Sequence, residues 1–145
     1  LQNRGANFSL DPASDNCLAG GKRSYHTIIP GFLLRDGAAV GPFGVMGAFM
    51  QPQGQTEVLV NTLDYHMNPQ EALDAPRIQW IGGRRLELER EAGEAIADEL
   101  RAMGHEVTVV DDRISMGRGQ IIWRGEDGVY TAGTEPRCDG AVAAW

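Results

Sequence analysis

The chain has 145 residues, enough for one domain with a hydrophobic core, and a formal net charge of -7 with a pI near 4.9. This acidic balance argues against binding to nucleic acid or to an anionic membrane surface. No run approaches the roughly 18 apolar residues of a membrane span, and Cys17 and Cys138 lie far apart without a metal-binding spacing. We therefore expect a single domain over residues 1–145, without a metal or cofactor and with two unpaired thiols.

The first 46 residues predict a loop followed by a β-hairpin. Residues 1–23 are polar and interrupted by glycine, proline and asparagine, so we expect a loop wrapped over the core. Residues 27–46 predict two strands joined by a turn at Asp36-Gly37. The side chains that share one alternating face of the first strand are Ile28, Phe32 and Leu34.

Two helices are predicted to follow the hairpin directly. Apolar residues recur every four positions between residues 55 and 67, which is the spacing of a buried helical stripe. These residues are Leu59, Leu63 and Met67. Asn68 then provides an N-cap, Pro69 suits the first helical position, and Glu71 can complete a capping box. We expect this second helix to end near Ala75, because a proline follows.

A second hairpin and a third helix come next. Two strand-like runs, residues 77–81 and 85–89, flank the turn dipeptide Gly82-Gly83. Residues 90–104 have the apolar spacing of a helix that ends at Gly104, a residue typical of a C-cap. The apolar face of this helix consists of Ala92, Ile96, Leu100 and Met103.

The end of the chain predicts further β structure. Residues 105–110 alternate as a strand, and residues 119–124 and 129–133 flank a turn at Asp127-Gly128. Because the strands come in hairpins and the helices lie together in the middle, we expect mostly antiparallel sheets with helices packed on them, and not a succession of βαβ units. The predicted fold class is therefore α+β.

The stretch GVMGAFMQPQG, residues 44–54, is the strongest candidate for a site. Its glycines let backbone N–H groups approach a ligand, and such groups at a helix start can stabilise an oxyanion. A tight connection from strand to helix would use the same residues, so composition leaves both interpretations open.

His26 and Thr27 are adjacent, and neighbours on a strand face opposite ways, which disfavours a catalytic pair. His66 and His105 lie near element ends and are expected to be solvated.

Five segments follow one another in a family-specific order: LQNRGANFSLDP, GKRSYHTIIPGF, GPFGVMGAFMQPQGQ, VNTLDYHMNPQEALDAPR and TEPRCDGAVAAW. Together they resemble the small subunit of the gamma-glutamyltransferase family, most of all its acylase-type branch. The resemblance covers nearly the whole chain. It implies that residues 1–145 form the C-terminal part of a small subunit with the αββα sandwich of N-terminal-nucleophile hydrolases, lacking the family's N-terminal strands.

The resemblance also implies a mechanism. A precursor cleaves itself so that a threonine becomes the first residue of the small subunit, and its hydroxyl attacks the acyl carbonyl with its own amine as base. That threonine would precede Leu1, and no threonine precedes Thr27 here, so we expect the 145-residue chain alone to be inactive.

The family's oxyanion donors, the N–H groups of two consecutive glycines, align with Gly47 and Ala48. Because an alanine replaces the second glycine, we expect its methyl group to exclude a positive φ.

The substrate-binding positions implied by the resemblance depart from the transferase pattern. Asn7 stands where transferases hold the substrate's α-amino group with an aspartate, and Arg4 stands in place of a glutamine. His26 and Thr27 replace the serine pair that holds the α-carboxylate. An amide in place of a carboxylate loses a bond to ammonium worth about 1.5–3 kcal/mol, whereas Arg4 can either bind a carboxylate or pair with a neighbouring acid. We therefore expect a preference for glutaryl-type over γ-glutamyl acyl groups.

Three functions remain open at this point: a gamma-glutamyltransferase-like amidohydrolase that works through an acyl-enzyme, a glutaryl- or cephalosporin-type acylase, and a non-catalytic fragment or degenerate binding relative. The expected partners are the large subunit, or the N-terminal part of the same precursor, and a small-molecule γ-glutamyl or glutaryl amide. Exposed sheet edges would favour self-association. The compartment, periplasmic or secreted as against cytoplasmic for a bacterial-type protein, depends on sequence upstream of this chain.

Overall fold

A computed structural model describes residues 3–145 of the protein, and the α+β class is confirmed. The strands are β1 (Gly31–Arg35), β2 (Ala38–Met46), β3 (Ile78–Gly82), β4 (Arg85–Glu89), β5 (Glu106–Val110), β6 (Arg118–Arg124) and β7 (Tyr130–Thr134). The helices are α1 (Gln51–Leu63), α2 (Pro69–Asp74) and α3 (Glu94–Ala102), with 3-10 turns at Asn3–Asn7, Ala48–Met50, Arg90–Ala92 and Ile114–Met116. No helix within the described residues is long and apolar enough to cross a membrane.

The strands form two sheets. The four-stranded sheet has the order β1-β2-β6-β7 and is antiparallel throughout, with Phe43 opposite Ile121 in its centre. The three-stranded sheet has the order β3-β4-β5. All three predicted hairpins are confirmed. The sheets are mostly antiparallel, as expected, with one exception: β4 and β5 pair in parallel, and the connection through α3 is long enough to cross over.

Helices α1 and α2 cover one face of the four-stranded sheet and form the main core with it. The buried residues of this core are Phe43, Val45, Val58, Ala72, Leu73, Ile121 and Trp123. The opposite face of the same sheet carries large apolar side chains that are between 43% and 70% exposed. We call this the open face, and its residues are Phe32, Leu34, Met46, Ile122 and Tyr130. Ile28, predicted to share this face, lies before β1 and outside the strand.

Helix α1 begins earlier and ends earlier than the apolar spacing predicted. It starts at Gln51 instead of residue 55, because Pro52 falls in the first turn, where a helix needs no N–H donor. It ends at Leu63, so Met67 lies beyond it. Its fully buried apolar residue is Val58, whereas Leu63 is 42% exposed. Of the predicted stripe, Leu59 and Met67 are partly buried and pack against the core, whereas Leu63 does not.

Helices α2 and α3 agree more closely with the sequence. The predicted capping box of α2 is confirmed, since the Asn68 side chain accepts from the N–H groups of Gln70 and Glu71. Helix α3 begins at Glu94, later than predicted, because Gly93 with a φ of 90° separates it from the preceding 3-10 turn. Of the predicted apolar face of α3, Ile96 is 48% exposed and Met103 67% exposed.

Candidate functional site

The connection from β2 to α1 is a tight turn whose first residue, Gly47, leaves little room for a side chain. A Cβ on Gly47 would lie 3.0 Å from the Cα of Gly117 and 3.2 Å from the Cβ of Met50. The Gly47 carbonyl accepts from the Met50 N–H at 2.9 Å and so closes the 3-10 turn that leads into the helix. Glycine at this position is explained by the close approach of the 116–118 loop.

Ala48 adopts a left-handed backbone with a φ of 51°. The expectation that its methyl group would exclude a positive φ was therefore wrong. A left-handed alanine costs roughly 1–2 kcal/mol relative to the right-handed region, and such strain persists only where the surrounding contacts determine the conformation. Among the hydrogen bonds of residues 3–145, none is donated by the backbone N–H of Gly47 or of Ala48. The turn thus offers two consecutive free donors at the start of a helix.

A cavity of about 270 Å³ lies beside this turn. It brings together four of the residues singled out in the sequence, namely Asn7, His26, Thr27 and Ala48. The rest of its wall consists of Asn3, Ala6, Tyr25, Ile29, Phe49 and Pro52. Among residues 3–145, no aspartate or glutamate lines the cavity, so the described wall offers a neutral or anionic group a better environment than an ammonium ion.

Arg4 stands behind the cavity wall. Its Nε donates to Thr27 Oγ1 at 2.9 Å, and within residues 3–145 it forms no ion pair, so the pairing with a neighbouring acid considered above does not occur there. Gly47 adjoins the cavity through Ala48 without lining it. Three glutamines at the start of α1, at positions 51, 53 and 55, were missed in the sequence although they alternate regularly.

A buried ionic network lies beneath the turn. Arg77 donates to Glu135 Oε2 at 2.9 Å, and both side chains are almost completely buried. The same guanidinium donates to the carbonyl oxygens of Met116 at 2.9 Å and of Gly117 at 3.1 Å. Because Gly117 packs against Gly47, Arg77 holds the loop that presses on the turn.

Arg137 extends this network to the second sheet. Its guanidinium binds Glu135 Oε1 at 2.7 Å and both oxygens of Glu89, and it donates to the carbonyls of Leu73 and Ala75 at the end of α2. Burial opposes the charge of Glu89, yet hydrogen bonds from Arg137 and from the Arg77 N–H hold the pKa of its carboxyl below its usual value.

Glu57 is a carboxyl of this region whose protonated form is favoured by burial. Burial raises the pKa of its carboxyl from 4.5 to about 7, although the Arg77 charge and the Ile78 N–H oppose the change. Its Oε2 atom is buried and has no hydrogen-bond partner within residues 3–145. Helix α1 therefore carries a half-buried carboxyl whose pKa is raised toward neutral pH.

The remaining candidates do not gather into a site. His66 is exposed as expected, but His105 is half-buried and its Nδ1 atom is inaccessible, so its expected solvation was wrong. Cys17 and Cys138 are free thiols. Within the part of the chain that the structure describes, no three His, Cys, Asp or Glu side chains are grouped to hold a metal ion.

Known proteins resemble this chain in sequence and in structure. The chain is 38% identical over 150 residues to the glutathione hydrolase-like YwrD proenzyme of Bacillus subtilis, a match of 98% of this chain and 28% of that protein. It superimposes on the crystal structure of a cephalosporin acylase from Bacillus halodurans with a TM-score of 0.96 and 57% identity, covering 100% of this chain and 27% of that one. It also matches a gamma-glutamyltranspeptidase from Pseudomonas nitroreducens, complexed with L-DON, with a TM-score of 0.79 and 25% identity, over 92% of this chain and 69% of that one.

These neighbours define the fold as that of an N-terminal-nucleophile hydrolase. The family model described as gamma-glutamyltranspeptidase matches residues 1–145, and the chain belongs to that family. It spans 28% of the length of its Bacillus subtilis relative, whose name marks it as a proenzyme.

Proposed function

We propose that the intact protein, of which residues 1–145 form the C-terminal part of the small subunit, is an amidohydrolase that acts through an acyl-enzyme. A threonine supplied by the segment preceding Leu1 attacks the amide carbonyl, and water or an amine then takes the acyl group. The proposal rests on family membership and on the cavity beside the Gly47-Ala48 turn.

The observation that carries this proposal is that the backbone N–H groups of Gly47 and Ala48 have no hydrogen-bond partner among residues 3–145. A tetrahedral intermediate places a negative charge on the former carbonyl oxygen, and two fixed donors stabilise that charge more than they stabilise the neutral amide. The left-handed backbone of Ala48 allows it to take part in this turn next to Gly47. A rigid turn needs no reorganisation when the charge develops.

The cavity supports an acyl group that ends in a carboxylate and has no ammonium. Asn7 offers an amide where an ammonium would need a carboxylate, and Arg4 places a positive charge behind Thr27. We infer that glutaryl-type amides are better substrates than γ-glutamyl amides. The 57% identity to a cephalosporin acylase favours the acylase alternative over transfer.

The open face supports a partner subunit. Its side chains, including Phe32 and Ile122, form an apolar layer on a sheet whose other face is already covered by helices. We infer that a sheet of the large subunit, or of the rest of the same precursor, packs on this layer. Self-association through the same face is the competing outcome for the isolated chain.

The test is to express the parent reading frame and to compare kcat/KM for glutaryl and γ-glutamyl p-nitroanilides. We expect a preference for glutaryl, and we expect Asn7→Asp to shift the ratio toward γ-glutamyl about tenfold or more, because a charge-assisted bond to ammonium is restored. An unchanged ratio would exclude the acyl-binding role of Asn7. If the parent sequence upstream of Leu1 contains no Thr-Thr-His or Thr-Ser-His start for a small subunit, the non-catalytic alternative is supported.

A further inference from the structure

Three glutamines at the start of α1 bind the backbone of two other segments of the chain. Gln51 Nε2 donates to the Thr27 carbonyl at 2.6 Å, and Gln55 Nε2 donates to the Ile29 carbonyl at 2.5 Å. Gln53 instead binds Trp80 of β3, accepting from its N–H at 2.7 Å and donating to its carbonyl at 3.2 Å. Two of the three side chains thus converge on the wall of the cavity.

Residues 23–30 form this side of the cavity, and we call them the wall. The wall contains no helix or strand. Among the turn and loop hydrogen bonds of residues 3–145, none joins a backbone group of residues 23–29 to another backbone group. The side-chain bonds that hold the wall are the one from Arg4 to the Thr27 hydroxyl and the two from Gln51 and Gln55.

The spacing of the two glutamines matches the spacing of the groups they bind. Residues four apart on a helix lie on one face and are separated by about 6 Å along its axis. Alternate residues of an extended chain point their carbonyls to the same side and lie about 6.5 Å apart. Gln51 and Gln55 are four apart, and Thr27 and Ile29 are two apart. The helix therefore presents two donors in register with two carbonyls.

We propose that Gln51 and Gln55 are positioning residues that fix residues 25–29 against the turn at Ala48. They set the width of the cavity between the acyl-binding side chains His26 and Thr27 and the N–H donors, without touching substrate. This inference rests on the proposed function, because it assigns the cavity to the acyl group. Gln51, which is 7% exposed, contributes the better shielded of the two bonds.

The test uses Gln51→Met and Gln55→Met, singly and together, in the full-length protein. Methionine keeps the length of the side chain and removes the donor. The matched control is Thr56→Val on the same helix, because the Thr56 hydroxyl is exposed and bonds only to Pro52 of its own helix.

Two measurements are made on each variant. The first is the rate of tryptic cleavage after Lys22 and Arg23, exposed residues at the start of the wall, with cleavage after Arg124 as the internal reference for global unfolding. The second is the separate determination of kcat and KM for a glutaryl anilide. We expect each single variant to raise wall cleavage and KM about fivefold and the double variant more than about tenfold, with kcat within about twofold of wild type and the control unchanged.

Unchanged cleavage and unchanged KM in the double variant would overturn the proposal. Faster wall cleavage with an unchanged KM would overturn the positioning role as well. If KM stays constant and kcat alone falls, the glutamines act on the chemical step and the proposal is wrong. Should the wild-type protein hydrolyse no acyl amide, the proposed function fails, and the cleavage rates still decide whether Gln51 and Gln55 hold the wall.

Discussion

Replacing Glu57 with glutamine should stabilise the protein at alkaline pH and have little effect at low pH. The folded protein holds the pKa of Glu57 at about 7, against an ordinary value of 4.5. Between these two values the folded carboxyl is protonated while the unfolded one is ionised, so folding takes up a proton. The wild-type protein therefore loses stability as pH rises through this window, and a neutral amide at this position does not.

The size of the effect follows from the two pKa values. Proton linkage predicts how far the raised pKa of Glu57 lowers the free energy of unfolding of the wild-type protein. The decrease is about 1 kcal/mol at pH 5, about 2 kcal/mol at pH 6 and about 3 kcal/mol at pH 8 and above. We expect the free energy of unfolding of Glu57→Gln to exceed that of wild type by these amounts. The variant also loses the attraction between the Glu57 carboxylate and the Arg77 charge, which reduces its gain in stability. These values are therefore upper limits.

The assay is urea denaturation of both proteins from pH 5 to pH 8.5, followed by tryptophan fluorescence. Glu99→Gln is the control, since Glu99 is exposed on α3 and its substitution should change stability by less than about 0.5 kcal/mol at every pH. A difference between Glu57→Gln and wild type that stays constant over this range would refute the reasoning, because it would show that Glu57 titrates alike in the folded and unfolded states.

Three further outcomes are expected. Ala48→Gly should raise the free energy of unfolding by about 0.5–1 kcal/mol, because relief of the left-handed strain exceeds the added entropy of the unfolded chain; a lower melting temperature would contradict this. Arg77→Met should lower stability by about 3–5 kcal/mol, since it removes one of the two guanidinium groups that bind the buried Glu135 carboxylate and leaves Arg137 as the remaining one, and adding Glu135→Gln should recover part of the loss in denaturant titrations. Ile122→Lys on the open face should leave the melting temperature of the 145-residue chain nearly unchanged while weakening its association with the large subunit in pull-down; equal binding would argue against the open face as the interface.

Local signals accounted for most of the secondary structure. The dipeptides at Asp36-Gly37, Gly82-Gly83 and Asp127-Gly128 each joined two paired strands, because such turns impose their own backbone geometry. The capping box at Asn68 was equally local. Where an element depends on a few neighbouring residues, the sequence is sufficient to predict it.

Features that depend on distant partners were predicted less well. The parallel pairing of β4 with β5 depends on where α3 packs, which hairpin spacing does not reveal. The positive φ of Ala48 was excluded on the intrinsic preference of alanine, and the close contact of the adjacent Gly47 with Gly117 was not visible in the sequence. The contacts of Gln51 and Gln55 likewise join residues more than twenty positions apart.

The placement of Arg137 has a consequence for how the molecule opens. The two sheets have no strand in common, yet this one guanidinium binds Glu135 beyond β7, Glu89 at the end of β4 and the last carbonyls of α2. Separating the sheets would leave three buried charged groups without partners. The free-energy cost of unfolding one sheet while the other remains folded is therefore high. In native-state hydrogen exchange the amides of β4 and β6 should therefore share a single opening free energy, and the protein should behave as one cooperative unit despite its two sheets.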